Sequence, residues 1–380
     1  MYIRNRNLFR INRIFLLRLP WLLRFFAAFR RPSKRLLIIK TDAIGDYILF
    51  RNFLEAVSTS DLYKDHKIDV VGNVLWRDIA VAYDSTFIDE FIFIKAHDLY
   101  EAPLKTLKLG WRLFKKNYEI VFQPTYARSL INDSIAALTG TKQIIGFESD
   151  NDQIPQRYKV KSDKFYSQLL VLPQNIFFEF ERTKFFFESV LNSPLSLSAP
   201  TITYNANATE KKGVTIFAGA GYIKRGWEKE KFCVLMQLIF RHTGQPVTLL
   251  GGPGEIETGN YFIENLPAES INNLIGKTSL PELIDIIGNS ALLIANETSA
   301  IHIAAATKTE AICLLGGGHY ERFAPYPMQY ESSPVCVYEK IDCYNCNWNC
   351  IFKTGESQPF PCIANISIDS VWKKVLPMLP

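Results

Sequence analysis

Residues 36–57 read LLIIKTDAIGDYILFRNFLEAV. Leu36, Leu37, Ile38 and Ile39 form an apolar run bounded by a short turn, the pattern of a buried parallel strand. The turn Thr41-Asp42-Ala43-Ile44-Gly45-Asp46 then opens a helical pattern, with Tyr47, Phe50, Leu54 and Val57 at helical spacing. Gly45 permits a tight turn or a close approach of backbone to ligand. Asp46 therefore falls at the carboxyl end of a strand and the start of a helix. That is the edge where doubly wound α/β sheets bind ligands. A carboxylate there can take a proton from a bound hydroxyl. Asp is also a favoured helix cap, and the turn alone leaves both readings open.

Outward from this unit the alternation continues. Strand-like runs at Ile68–Val71, Phe91–Ile94, Glu119–Phe122 and Ile144–Phe147 are separated by amphipathic stretches, notably Leu104–Lys116 and Ser129–Thr139. Repeated strand–helix alternation means βαβ units and a parallel sheet. Residues 150–178 are polar and aromatic with little periodicity, 179–192 look helical, and SPLSLSAP at 193–200 reads as a linker. The alternation then restarts with strands at Val214–Ala218, Val247–Leu250, Ala291–Ala295 and Ala311–Leu315, and helices near 228–243, 279–288 and 300–307. The expected fold is α/β, two Rossmann-like domains facing a cleft. The expected divisions are an arm (1–35), domains at 36–200 and 201–365, and a terminal helix (366–380).

The chain of 380 residues carries a formal charge of +5. Residues 1–35 hold ten Lys/Arg and no acidic residue, so the remainder is mildly acidic. Such asymmetry points to an anionic surface. Arg18 and Arg24 interrupt the apolar run, leaving no stretch long enough to span a bilayer, and no small-residue cleavage site marks a secretory signal. Arg interleaved with Phe, Leu, Ile and Trp fits a basic amphipathic segment lying in a membrane surface through residues 1–31. A helix packed on the protein's own body is the alternative. An RNA-binding tail is disfavoured by the aliphatic richness, and no nucleic-acid partner is expected. Pro20 is expected to break or kink the helix.

In the second half, Gly219, Gly221, Lys224, Arg225 and Trp227 follow a strand. Glycines there let backbone N–H groups face a phosphate, and Lys224 and Arg225 are cationic donors suited to a pyrophosphate. Gly251, Gly252 and Glu255 end another strand, where a carboxylate can accept from ribose or sugar hydroxyls. Asn296, Glu297, Thr298 and Ser299 form a polar turn before a small-residue helix that carries His302. In isolation each has a plain structural reading: a solvated loop, a helix-start glutamate, a core histidine.

Together these stretches resemble the heptosyltransferase family of bacterial glycosyltransferases (glycosyltransferase family 9). The resemblance rests on Ala43-Ile44-Gly45-Asp46, Arg225-Gly226-Trp227, Gly251 to Glu255, Gly276-Lys277-Thr278-Ser279-Leu280 and Asn296 to His302. The stretch QPTYARSLINDSIAALTGTKQIIGF, with Arg128 at a basic position, adds to it. Glu297 stands where the family has Asp, and Ser299 where it has Gly. The resemblance implies the two-domain architecture called GT-B, inverting transfer with Asp46 as base, and no cofactor in catalysis. It implies donor contacts from Gly45, Gly219, Lys224, Arg225, Glu255, Glu297, Thr298, Ser299 and His302, and acceptor contact from Arg128. The implied donor is an ADP-heptose-like nucleotide-sugar and the acceptor a lipopolysaccharide-core or related glycan. The implied location is cytoplasmic, on the inner face of the bacterial inner membrane. A non-catalytic nucleotide- or glycan-binding member of the fold is the alternative. A nicotinamide-dependent oxidoreductase is disfavoured because no G-x-G-x-x-G follows the first strand.

Cys343, Cys346, Cys350 and Cys362 are clustered near the end of the chain. In a reducing compartment such clustering favours metal over disulfides, and tetrahedral zinc is the simplest structural occupant. An iron–sulfur cluster and unliganded or oxidisable thiols are the alternatives. Asp150-Asn151-Asp152 matches the acidic motif that many sugar transferases use for a cation, but reads better as solvated loop acids.

Overall fold

The computed structural model describes residues 3–207 and 210–380. The first two residues of the basic arm, and 208–209 of the expected second domain, lie outside them. The chain divides into two compact units, one formed by residues up to Ile176 with Phe180–Leu197, the other by Phe177–Glu179 with Ser198–Pro380.

The first unit begins with α1 (Arg6–Leu17) and α2 (Leu19–Ala27), followed by β1 (Ser33–Lys40), α3 (Ile44–Phe50), α4 (Asn52–Ser58) and β2 (Lys67–Asn73). It continues through α5 (Arg77–Tyr83), β3 (Glu90–Ile94), α6 (Pro103–Lys116), β4 (Tyr118–Gln123), α7 (Leu130–Leu138), β5 (Gln143–Phe147), α8 (Gln156–Ser162), β6 (Gln168–Leu170) and α9 (Glu179–Leu191). The strands form one sheet in the order β3-β2-β1-β4-β5-β6, every pair parallel. Leu36–Ile39 are buried because β1 is central, with Ile38 opposite Val70 on one side and Phe122 on the other.

The second unit holds β7 (Val214–Phe217), α10 (Lys229–Thr243), β8 (Val247–Leu250), α11 (Ile256–Asn265), β9 (Ile271–Asn273), α12 (Leu280–Asn289) and β10 (Leu292–Asn296). Then come α13 (Ser299–Ala306), β11 (Glu310–Leu314), β12 (Val335–Val337), α14 (Pro361–Ala364) and α15 (Ile368–Val375). Its sheet runs β12-β11-β10-β7-β8-β9, again all parallel, so the same arrangement occurs twice. Local signals set the helix ends. Ser279 and Glu282 form a reciprocal capping box at α12, and Gly244 closes α10 in the left-handed region at φ 65°. In each sheet the chain order reverses beside the first strand, between β1 and β4 and between β7 and β10. The crevice at the carboxyl ends of those strands is the ligand-binding position of this fold.

The basic arm folds as α1 and α2, and the packed-helix alternative holds for one face of it. Phe9 and Leu16 enter the first unit's core, and Leu23 packs with Phe114 and Leu138. Asn12 Nδ2 donates to the carbonyls of Leu99 and Tyr100. The Arg24 guanidinium caps the Phe165 carbonyl at 2.5 Å. Pro20 sits in the first turn of α2, where its missing N–H costs nothing, so the break falls just before it. The other face leaves Ile11, Ile14, Trp21, Leu22, Phe25, Phe26 and Phe29 exposed, Phe29 by 77%. Among the described residues no helix is long and apolar enough to cross a membrane.

Candidate active site

In the first unit Asp46 is half-buried in the first turn of α3. Ala43 holds the capping position and no side chain caps the helix, so the cap reading of Asp46 does not hold. Gly45 precedes it in the same turn. The turn is pinned from several sides. Asn73 Nδ2 donates to the carbonyls of Thr41 (3.0 Å) and Asp42 (3.2 Å), and Trp76 Nε1 donates to the Asp42 carbonyl at 3.2 Å. Trp76 stacks on Tyr47 with ring centroids 3.9 Å apart. The Tyr47 hydroxyl and the Arg51 guanidinium converge on buried Asp84 at 2.6 Å each. Lys40, buried at the end of β1, pairs with Asp42 at 2.9 Å, and Thr125 from the turn after β4 donates to the same carboxylate at 2.7 Å. Two residues that sequence reasoning did not single out, Lys40 and Asp42, thus bind the two sides of the switch point together.

Arg128 lies elsewhere. Its side chain is fully buried. Nε and Nη2 donate to Asp133 at 3.1 and 2.8 Å, Nη2 to Asp163 at 2.7 Å, and Nη1 to the Phe147 carbonyl at 2.9 Å. The guanidinium also faces the Tyr166 ring at 4.2 Å. These donors are occupied inside the first unit, which corrects the expectation of direct acceptor contact.

In the second unit the turn after β7 carries Gly219 and Arg225, and the turn after β10 carries Glu297 and Thr298. Asn296, fully buried, joins them. Its Nδ2 donates to the Ala218 carbonyl at 2.7 Å, and its Oδ1 accepts from the Trp227 backbone at 3.0 Å. A Cβ on Gly219 would stand 1.5 Å from Glu255 Oε1, so a side chain there would displace the Glu255 carboxylate. The Glu255 carboxylate accepts from the Gly252 N–H at 2.5 Å; burial raises its pKa and that hydrogen bond opposes the rise.

Among the described residues, Arg225 Nε, Glu297 Oε2 and Thr298 Oγ1 at this switch point are buried without a hydrogen-bond partner. Burial pulls Arg225 below its usual range and pushes Glu297 up to about 8, each partly offset by attraction between the two. Buried groups of this kind carry a desolvation cost that a polar ligand would relieve. Thr298 and Ser299 open α13, where the first N–H groups have no intrahelical acceptor. Thr278, in the turn before α12, has a further buried hydroxyl with no partner among the described residues. His302 is buried in α13, its Nδ1 2.8 Å from the Tyr326 hydroxyl, and burial lowers its pKa to about 4. Its ring is therefore neutral at neutral pH.

Lys224 departs from expectation. Its Nζ donates to the Thr354 hydroxyl at 3.2 Å and carbonyl at 3.3 Å, so it secures the cysteine-rich segment to the loop. Arg225 stacks on Trp348 at 4.4 Å, a contact that sequence reasoning missed. Burial raises the pKa of Cys343, and the neighbouring Cys346, Cys350 and Cys362 add to the rise. Among the described residues, however, no three His, Cys, Asp or Glu side chains are arranged to hold a metal ion.

Two Rossmann-like units in one chain, each with a built polar turn at its switch point, are the α/β architecture of GT-B glycosyltransferases. Within that class, the chain belongs to glycosyltransferase family 9 (heptosyltransferase), whose family model matches residues 106–348. It is 30% identical over 115 residues to lipopolysaccharide heptosyltransferase 3 of Escherichia coli K12, covering 30% of this chain. The match spans 33% of that relative's length. In fold it is similar to the glycosyl transferase family 9 protein of Veillonella parvula DSM 2008, with TM-score 0.69 and 16% identity, covering 92% of this chain and 98% of that one. It is also similar to the iron-containing dodecameric glycosyltransferase TibC of enterotoxigenic E. coli H10407, with TM-score 0.54 and 14% identity, covering 92% and 77%. TibC has also been solved in complex with ADP-D-β-D-heptose.

Proposed function

We propose that this protein is an inverting glycosyltransferase that moves a heptose-like sugar from an ADP-heptose-like donor to a lipopolysaccharide-core or related cell-surface glycan. The observation that carries the reading is the set of unpartnered buried atoms on Arg225, Glu297 and Thr298 at the second switch point. A nucleoside diphosphate would give the arginine an anion and the turn acceptors for its N–H groups. Gly219 would let the backbone approach it closely. Glu255 and Glu297 would hold ribose or sugar hydroxyls, and neutral His302 would orient the donor sugar. Asp46 would take the proton of the acceptor hydroxyl as its oxygen attacks the anomeric carbon. The bond to the diphosphate oxygen breaks with its electron pair leaving on the diphosphate. Arg225 and the backbone N–H groups would stabilise that charge, the largest contribution in many such sites. Gly45 would shape the turn that presents Asp46. In this reading no metal takes part in the transfer.

The test is titration of purified protein with nucleoside diphosphates and the matching nucleosides. Arg225→Ala should weaken diphosphate binding by about 1.5–3 kcal/mol, the scale of a hydrogen bond to a charged group, and weaken nucleoside binding less. Equal losses would mean that Arg225 acts on structure alone.

The same reading gives Cys343, Cys346, Cys350 and Cys362 a structural metal. Four soft thiols in one segment suit zinc or iron, and TibC is an iron-containing relative. The metal would fasten the segment that holds Lys224 and Trp348. Elemental analysis should find about one metal ion per chain, lost on Cys346→Ser; metal-free protein of unchanged thermal stability would refute it. The exposed apolar face of α1 and α2, with Arg10, Arg13 and Arg18 on the arm, would rest on an anionic membrane surface beside a lipid-linked acceptor.

A further inference from the structure

We propose that Trp348 and His319 are positioning residues that form a rigid backing for Arg225, fixing its guanidinium for a diphosphate. The inference rests on the donor site proposed above and adds the groups that set its geometry.

The Arg225 guanidinium lies over the Trp348 ring, with Cζ 4.4 Å from the ring centroid. A stacked arginine keeps its N–H groups at the edge, so the face is held while the donors stay available. The Trp348 indole is itself fixed. Its Nε1 donates to His319 Nδ1 at 3.2 Å, and His319 Nε2 lies 2.6 Å from Asn347 Oδ1. Nδ1 accepts, so Nε2 carries the proton and donates to the amide oxygen. The indole also stacks on Phe360 at 6.1 Å, and the Phe360 N–H donates to the Lys224 carbonyl at 2.8 Å, next to Arg225.

The backbone is built to admit this ring. Gly316-Gly317-Gly318 follows β11. A Cβ on Gly318 would stand 2.2 Å from the indole, one on Gly316 2.6 Å from it, and one on Gly317 2.4 Å from Tyr344. Trp348 takes φ 59°, and Asn345 and Asn347 also have positive φ. A bulky residue in the left-handed region is uncommon and is maintained only where the surroundings over-determine it. The absence of side chains at Gly316 and Gly318, with the left-handed backbone of Trp348, leaves room for that ring against Arg225.

The experiment is titration with ADP, GDP, UDP and CDP and with the corresponding nucleosides, on full-length protein. Trp348→Leu should weaken binding of the preferred diphosphate about tenfold while changing nucleoside affinity less than twofold. Trp348→Phe, which keeps a stacking face, should recover most of that loss. Gly318→Ala should reproduce Trp348→Leu by displacing the ring. In an Arg225→Ala background, Trp348→Leu should cost nothing further, because its effect passes through the guanidinium. Melting curves monitor the fold, with Trp348→Phe as the variant least disturbed. Equal loss for nucleoside and diphosphate, or losses that add in the double variant, would overturn the proposal. If Arg225→Ala weakens diphosphate binding and Trp348→Leu does not, the donor site stands and the backing role falls. If the unaltered protein binds none of the four diphosphates, the donor site itself falls, and this inference with it.

Discussion

Replacing Arg128 with Met separates a structural cross-link from a ligand contact. Arg128 neutralises Asp133, which is fully buried and also accepts from Ser162 Oγ and Tyr166 Oη at 2.6 Å each. Asp163 retains a cation, Lys159 at 3.1 Å, whereas Asp133 keeps none among the described residues. The substitution leaves one buried carboxylate with two hydroxyl donors and no counter-charge. Removing one partner of a buried pair costs about 3–5 kcal/mol. At about 2–4 °C per kcal/mol for a unit of this size, the melting temperature should fall by roughly 6–20 °C. The change should appear in the first unit's transition, followed by calorimetry. Arg128→Met with Asp133→Leu should recover much of the loss, since the pair is then replaced by apolar volume. An unchanged melting temperature with a raised acceptor KM would refute this and restore direct acceptor contact.

Two further outcomes follow from the geometry. His302 is held neutral in the fold with a pKa of about 4, against about 6.5 when unfolded. The unfolded chain therefore binds the extra proton between those values, and stability falls as pH drops through that window, by up to about 3 kcal/mol. Glu297, raised to about 8, acts in the opposite sense: its contribution is present below about 4.5 and is lost as pH rises through 8. Denaturant titrations from pH 4 to 8 should show a shallower acid limb for His302→Phe, and a flatter alkaline limb for Glu297→Gln. Superimposable slopes would contradict the assignment. On vesicles, Phe25→Ser with Phe29→Ser should reduce sedimentation with anionic lipid at least tenfold without altering the melting temperature, because both rings are exposed. Binding equal to the parent, or no preference for anionic over neutral vesicles, would remove the membrane face.

The strands that carry the fold were legible because they are buried on both faces and read as unbroken apolar runs. Leu36–Ile39 and Leu292–Ala295 are examples. The edge strands β6, β9 and β12 were not, since each has three residues and is partly exposed. A half-solvated strand of that length leaves no periodicity to read. Within the site, turns after strands located Asp46, Gly219, Arg225 and Glu297 on the ligand-binding edge. Partner identity was hidden: Arg128 is a plain basic residue until Asp133 and Asp163 are seen around it. Trp348 and His319 meet Arg225 only through the fold, and the triple glycine was the one sequence trace of that contact. The arm's pattern of Arg with Phe and Leu suits both a docked and an exposed face, and α1 and α2 use both.

In the proposed reaction Asp46 supplies the base for glycosyl transfer from a donor bound at the second switch point. The most direct test is turnover of ADP-heptose with a lipopolysaccharide-core acceptor, compared between the unaltered protein and Asp46→Asn, with donor binding measured in parallel. Donor affinity should stay within about twofold of the parent while turnover falls about 10²-fold or more, the scale of general-base catalysis. Near-normal turnover in the Asn variant would contradict it.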